Sequence, residues 1–313
     1  VYDVGANNGD DTAYYLLKGY RVLAVEADPS LIPALEAGFA PDIARARLTL
    51  LNVALAPERK RAPFWICDEY RLWNSFDYEI ASRLGRKCHA VEVECWPLRD
   101  IFSKYGIPYY LKLSLHGQED FCLADLQPEA APAYVSLQFP TDLERSDDIL
   151  ARLAEIGYHG FKLIDQRTYT QLAVTPPSLK RRLRRKLQQH PRLYDVCEVL
   201  SGLRKRVSSF GGNPAHSETQ RMKDALIDWA FPLGSSGPLG DETHGRWQTR
   251  QAVRSAWKAF LSGDSDEGAP DVSVWHDLHA TRLESNQIYA VNDVPVGVVP
   301  AANVVASTTR VSD

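Results

Sequence analysis

Short apolar runs alternate with amphipathic, helix-like segments over the first half of the chain, the pattern of a mostly parallel sheet covered on both faces. The runs predict strands over residues 1–4, 21–26, 48–54, 108–115, 134–139 and 161–165. Helices are predicted between them over 10–18, 30–45 with Ser30 as N-cap, 119–126, and 146–157 ended by its glycine. Residues 56–107 show neither period clearly and read as a looser region.

From about residue 170 the rhythm changes. A helical, basic stretch comes first, then the glycine-rich "FPLGSSGPLGDETHGRW", a helix over 248–261, and an acidic Gly/Asp/Ser stretch over 262–269. Order returns at 272–279, and the tail from residue 294 reads as loosely ordered. The expected organisation is an α/β, Rossmann-like core over 1–169 with a helical insertion over 170–271 that caps its ligand edge. Residues 272–293 return to the core sheet, and 294–313 form the tail.

Charge excludes some partners. Lys and Arg number 36 against 40 Asp and Glu, so the net charge of −4 makes the whole molecule no electrostatic partner for nucleic acid or an anionic membrane. The local exception is "LKRRLRRKLQQHPR", where Leu179, Leu183 and Leu187 form a narrow apolar stripe on an otherwise basic helix. It lacks aromatic residues for base stacking and is expected to be a packed insertion helix with a solvated basic face.

The five cysteines, Cys67, Cys88, Cys95, Cys122 and Cys197, form no C-x-x-C pair and have no His at metal spacing, which fits a reduced protein. No apolar run approaches the ~20 residues of a membrane span; the longest, 294–305, is interrupted by Pro295, Pro300 and Asn303. An apolar run starting at Val1 and leading directly into a glycine turn is unlike a signal peptide. The expectation is a cytoplasmic protein without stable membrane insertion or a nucleic-acid partner.

The candidate chemistry starts at "VYDVGANNGDD". A strand ending in Asp3-Val4-Gly5, a turn to Gly9 and then a helix place backbone N–H groups at the carboxyl edge of a sheet, where open α/β folds bind ligands. The dinucleotide fingerprint G-x-G-x-x-G is not met, since Asn7 and Asp10 stand where its second and third glycines belong. A nicotinamide-dependent oxidoreductase is therefore disfavoured. Asp3, Asp10 and Asp11 around the turn would repel a pyrophosphate and tolerate a cationic ligand with an ammonium group, such as S-adenosylmethionine. Glu26, ending the second strand, stands where a carboxylate accepts bonds from both ribose hydroxyls.

These residues resemble the FkbM-type S-adenosylmethionine-dependent methyltransferases. Asp3-Val-Gly-Ala-Asn-Asn-Gly9-Asp10 is similar to that family's first motif, Val25-Glu26-Ala27-Asp28-Pro29 to its second, and Asn52-Val53-Ala54-Leu55 to its third. Segments 234–247 and 275–280 are similar to late parts of the longer members, which extends the resemblance to about Leu283. The resemblance implies the methyltransferase type of Rossmann-like fold, S-adenosylmethionine as cofactor, and methyl transfer to an oxygen of a small molecule or carbohydrate. It also implies roles: Asp3 and Asn7 order the loop, while Gly5, Ala6 and Gly9 admit the methionine portion. Glu26 and Ala27 meet the ribose side, and Asn52 and Ala54 border the adenine.

The chain departs from the family at its catalytic turn. Members carry "LK-I-D-x-E-G-x-E", but here Leu111-Lys112-Leu113-Ser114-Leu115-His116-Gly117-Gln118-Glu119 places Ser114 and His116 where two acids belong. The oxygen-rich ligand set that magnesium requires is gone, so no metal is expected. His116 becomes the candidate base because imidazole titrates near neutral pH, with Ser114 and Lys112 facing the transferring methyl beside it. The alternative is a binding or scaffold protein that keeps the cofactor fold and has lost turnover. Two other features are candidates for ligand contact: Ser75 in "RLWNSFD", with Trp73 and Asn74, and the loop 234–247 as a lid or clamp.

Overall fold

The computed structural model describes residues 1–115, 117–172, 229, 231, 235–262 and 275–283. Strand β1 (Tyr2–Val4), read at 1–4, lies in a seven-stranded sheet, buried along its whole length. It runs parallel to β2 (Val22–Val25) on one side and to β7 (Tyr110–Leu113) on the other. Strands buried on both faces read as near-continuous apolar runs, here broken only by Asp3 in β1 and Lys112 in β7, which is why these three were visible in the sequence.

Beyond β2 lies β3 (Leu48–Leu51). Beyond β7 lie β8 (Tyr134–Gln138), β10 (His276–Thr281) and β9 (Gly160–Asp165), giving the order β3-β2-β1-β7-β8-β10-β9. Only β10 runs antiparallel to its neighbours. The chain therefore builds outward from β1 in one direction and from β7 in the other. The switch point between them opens a crevice at the carboxyl ends of the strands.

Several elements differ from the sequence reading. The helix expected over 30–45 is two, α2 (Ile32–Gly38) and α3 (Ala40–Ala44), because Pro41 has no N–H and its ring excludes a continuous helix across it. Ser30 is not its cap; its N–H donates to Asp28 Oδ1 (2.9 Å), and Leu31 precedes the helix without a side-chain bond. The strand expected over 48–54 stops at Leu51, and Asn52 turns its amide onto the Glu26 carbonyl (2.9 Å). The chain then joins a second sheet as β4 (Ala54–Leu55).

The supposedly loose region holds the two longest described strands, β5 (Lys60–Cys67) and β6 (Cys88–Trp96), paired antiparallel in the order β4-β6-β5. Their connection carries a 3-10 turn (Arg71–Trp73) and α4 (Tyr78–Ala81), and α5 (Leu98–Tyr105) follows. Phe64, Ile66, Val93 and Cys95 face one small core from this hairpin.

Helices α1 (Asp10–Leu17) and α6 (Glu119–Asp125) lie close to their expected limits. α7 (Leu143–Ile156) starts three residues early because the Asp142 carboxylate accepts the Arg145 N–H, and it ends at left-handed Gly157. Thr249 caps α8 (Arg250–Leu261), whose Val253, Ala256, Trp257 and Phe260 form the stripe that packs on α7 and β9. No described helix is long and apolar enough to cross a membrane. The basic stretch, Cys197, Gly234 and the 294–313 tail lie outside the described residues, as does His116.

Candidate functional site

Sharp local geometry shapes the turn after β1. Gly5 has φ 77°, and a Cβ there would overlap the Ser114 carbonyl oxygen at the end of β7. Gly9 has φ 87°, and a Cβ would stand 2.6 Å from the Phe39 ring. Both glycines are thus demanded by neighbouring protein, not only by close approach of a ligand. Asn7 also takes a positive φ, 49°, which directs its N–H to Glu26 Oε2 (2.7 Å).

Glu26 terminates β2 and is almost fully buried. Its other oxygen, Oε1, accepts the Asp28 N–H at 2.8 Å. Burial raises its pKa to about 7, outweighing the two backbone bonds that favour the carboxylate. The group lies in the wall of a cleft enclosing about 220 Å³, bordered also by Gly5, Ala6, Asn7, Ala27 and Ala54. Asn52 does not line that cleft, since its amide is spent on the Glu26 and Ala27 carbonyls.

The acidic surroundings of the turn are largely neutralised from within. Lys112 on β7, almost fully buried, places its Nζ 2.8 Å from both Asp3 and Asp11. Asp3 also accepts the Thr12 hydroxyl at 2.6 Å, tying β1 to α1. Burial alone would lower the Lys112 pKa, but the charges of Asp11 and Asp3 outweigh it and hold the ammonium above its ordinary range. The triad carries one net negative charge, so the expected repulsion of a pyrophosphate by three free aspartates reduces to Asp10 and that residue of charge. A lysine held in this way is a fixed cation, not a proton acceptor.

The turn after β7 is held from outside the cleft. Glu119, at the start of α6, accepts the N–H groups of Leu115 (3.2 Å) and Gly117 (3.1 Å) on either side of residue 116. Burial pushes its pKa up to about 7 against those bonds and the nearby Arg145. Arg145 itself donates to the Gly117 carbonyl at 2.7 Å. Ser114, Leu115 and Gln118 border the cleft.

Other residues were not foreseen. Leu31, Phe64, Leu72 and Phe76 give the cleft an apolar wall, and Arg71 gives it a polar edge together with Asn74, which the sequence had offered beside Ser75. Asn74 binds Asp28 Oδ2 at 3.2 Å, and the alternating Val91-Glu-Val-Glu-Cys95 of β6 was the available signal for the hairpin that delivers this wall. Ser75 is instead a strand partner of Trp65, bonded to it in both directions, with its hydroxyl accepting the Asp77 N–H. Described residues 235–247 are docked rather than hinged. Ser235 and Ser236 bind Asp11, Asp241 receives the Tyr134 hydroxyl (2.9 Å) and the Trp247 N–H (2.6 Å), and Lys162 donates to Thr243. Of these residues only Ser235 reaches the cleft. Among the described residues no group of three His, Cys, Asp or Glu side chains could hold a metal.

No curated protein matches the chain significantly. A solved structure it is similar to, the methyltransferase FkbM from Methylobacillus flagellatus KT, shares 19% identity over 52% of this chain and 38% of its own, at a TM-score of 0.37. The chain thus spans well under half the length of that protein. The profile of the methyltransferase FkbM domain matches residues 3–159, half of the chain, from the Asp3 turn through Glu26 and the β7 turn to the end of α7. The chain belongs to the FkbM methyltransferase family.

Proposed function

We propose that the cleft binds S-adenosylmethionine and that the protein methylates a hydroxyl of a small molecule or carbohydrate. Glu26 carries this reading: a buried carboxylate in the cleft wall, held by two backbone N–H groups and paired with no cation among the described residues. Each oxygen keeps lone pairs for a further donor, and a ribose diol offers two. The apolar wall of Ala27, Leu31, Val53, Leu55, Phe64 and Phe76 suits an adenine. Asp10 and the net negative triad favour an ammonium at the other end. These residues fit the cofactor, which when bound supplies a methyl group already activated by a sulfonium.

What the chain adds is alignment and a base. Glu119 and Arg145 fix the turn, His116 on that turn takes the proton of the acceptor hydroxyl, and Ser114 and Gln118 offer hydrogen bonds to the acceptor. Lys112 pairs with Asp3 and Asp11 and holds the β1 turn in register with β7.

Calorimetry with S-adenosylmethionine and assay of S-adenosylhomocysteine release over a panel of hydroxylated acceptors test the reading. Binding and release are expected, and His116→Ala should lower turnover by about 10²–10⁴-fold with cofactor affinity unchanged. Failure to bind S-adenosylmethionine, or binding of NAD in its place, overturns it. Binding with no release across the panel supports the scaffold alternative.

A further inference from the structure

Cys67 ends β5 and Cys88 begins β6, and the two are directly opposite in the antiparallel ladder. The hydrogen bonds define which kind of pair they form. The Cys67 N–H points away from β6, donating to Asn74 Oδ1 at 2.9 Å, as the Trp65 N–H donates to Ser75. One step along, the Asp68 N–H bonds to the Lys87 carbonyl at 3.0 Å. Cys67 and Cys88 are therefore a non-hydrogen-bonded pair, in which opposed Cα atoms stand about 4.5 Å apart with their side chains on one face. That separation falls within the range disulfides span, about 4.4–6.8 Å. Both are free thiols, Cys67 buried and Cys88 partly exposed. Cys95 stands seven positions along β6 opposite Lys60, and Cys122 is on α6.

We infer that Cys67 and Cys88 form a reversible disulfide that staples residues 68–87, the segment carrying Arg71, Leu72, Asn74 and Phe76 in the cleft wall. Oxidised glutathione is a sufficient oxidant. The Cys88 thiolate, the accessible one, attacks a glutathione sulfur and expels one glutathione thiolate, leaving a mixed disulfide. The Cys67 thiolate then attacks the Cys88 sulfur and expels the second. One sulfur–sulfur bond is broken and one formed; the two cysteines are oxidised, and the two protons and two electrons leave on two glutathione molecules.

The consequence reaches the cleft by a short path. Asn74 holds the Cys67 N–H with its carbonyl and Asp28 with its amide, so the end of β5 and the polar edge of the cleft share one side chain. A crosslink at the base of this segment removes conformations in which the wall swings away. This coupling rests on the reading of the cleft given above; the disulfide does not.

The reduced protein is incubated with oxidised glutathione in mildly alkaline buffer, because burial beside Cys67 and Asp68 pushes the Cys88 thiol up. The product is mapped by peptide mass. A dithiothreitol-sensitive Cys67–Cys88 link is expected, with proteolysis inside 68–87 slowed about tenfold or more, and Cys67→Ser stopping at the glutathione adduct of Cys88. A wild-type protein that yields only that adduct, a link through other cysteines, or no change overturns the inference. Oxidised wild type is expected to release S-adenosylmethionine several-fold more slowly than reduced, while Cys67→Ser shows no redox dependence. Equal release from both forms overturns the coupling. Binding by neither form, with the link present, overturns the cofactor reading alone.

Discussion

Glu26 and Asp3 are both buried carboxylates beside the same turn, yet their surroundings treat them oppositely. Asp3 meets a cation, Lys112, which also meets Asp11, and the three charges are closed among themselves with the Thr12 hydroxyl. Among the described residues Glu26 meets only backbone N–H groups, and burial raises its pKa to about 7. The first arrangement completes itself within the protein and joins β1, α1 and β7. The second leaves acceptor capacity facing a cleft, which supports the proposed cofactor site.

Removing the central cation should have the largest effect. Lys112→Met leaves two buried aspartates without their partner and is expected to cost about 3–5 kcal/mol in chemical denaturation; a loss below about 1 kcal/mol would show that water, not Lys112, satisfies them.

At the other site the expected outcome depends on pH. Because the Glu26 pKa is raised from 4.5 to about 7, its contribution to stability is fully present below pH 4.5 and is lost as pH rises through 7. Glu26→Gln should therefore change stability little in acid. At pH 8 it should stabilise the ligand-free protein by roughly 2 kcal/mol, the penalty of about 3 kcal/mol less the loss of one side-chain acceptor for a backbone N–H. The same variant should weaken S-adenosylmethionine by about tenfold or more. In the wild type, affinity should rise with pH through 7 as the carboxylate forms. A variant that is less stable at pH 8, or a flat affinity profile in the wild type, would remove the contrast between the sites.

The smallest effect belongs to Arg71, half-exposed and 3.5 Å from Asp28. Arg71→Ala should lower stability by less than about 1 kcal/mol in thermal unfolding, because the arginine is half-exposed and the buried Asp28 keeps the Asn74 amide and the Ser30 N–H. A larger loss would make this edge of the cleft a structural element comparable to the triad.

How much of this was legible depended on how local the cause was. The β1–α1–β2 unit was readable because two fully buried strands and a glycine turn are written in consecutive residues. Asn7 and Glu26 could be placed for the same reason, one in the turn after β1 and the other at the end of β2. The β5–β6 hairpin was obscured by Lys60 at its first position, and by Arg61 and Pro63 in one strand and Glu92 and Glu94 in the other, these four on the face turned from the small core. The break at Pro41 was readable in principle, but a helical run on both sides hid it.

The chain alone determined the α/β class, the carboxyl-edge turn from Gly5 to Gly9, and the acid that ends the second strand, because each follows from short-range periodicity and backbone sterics. Only the tertiary structure decided which acids remain open to a ligand. Lys112 reaches Asp3 across 109 positions, and Ser235 reaches Asp11 across 224. Charge compensation is a property of distance in space, and no spacing along the sequence expresses it.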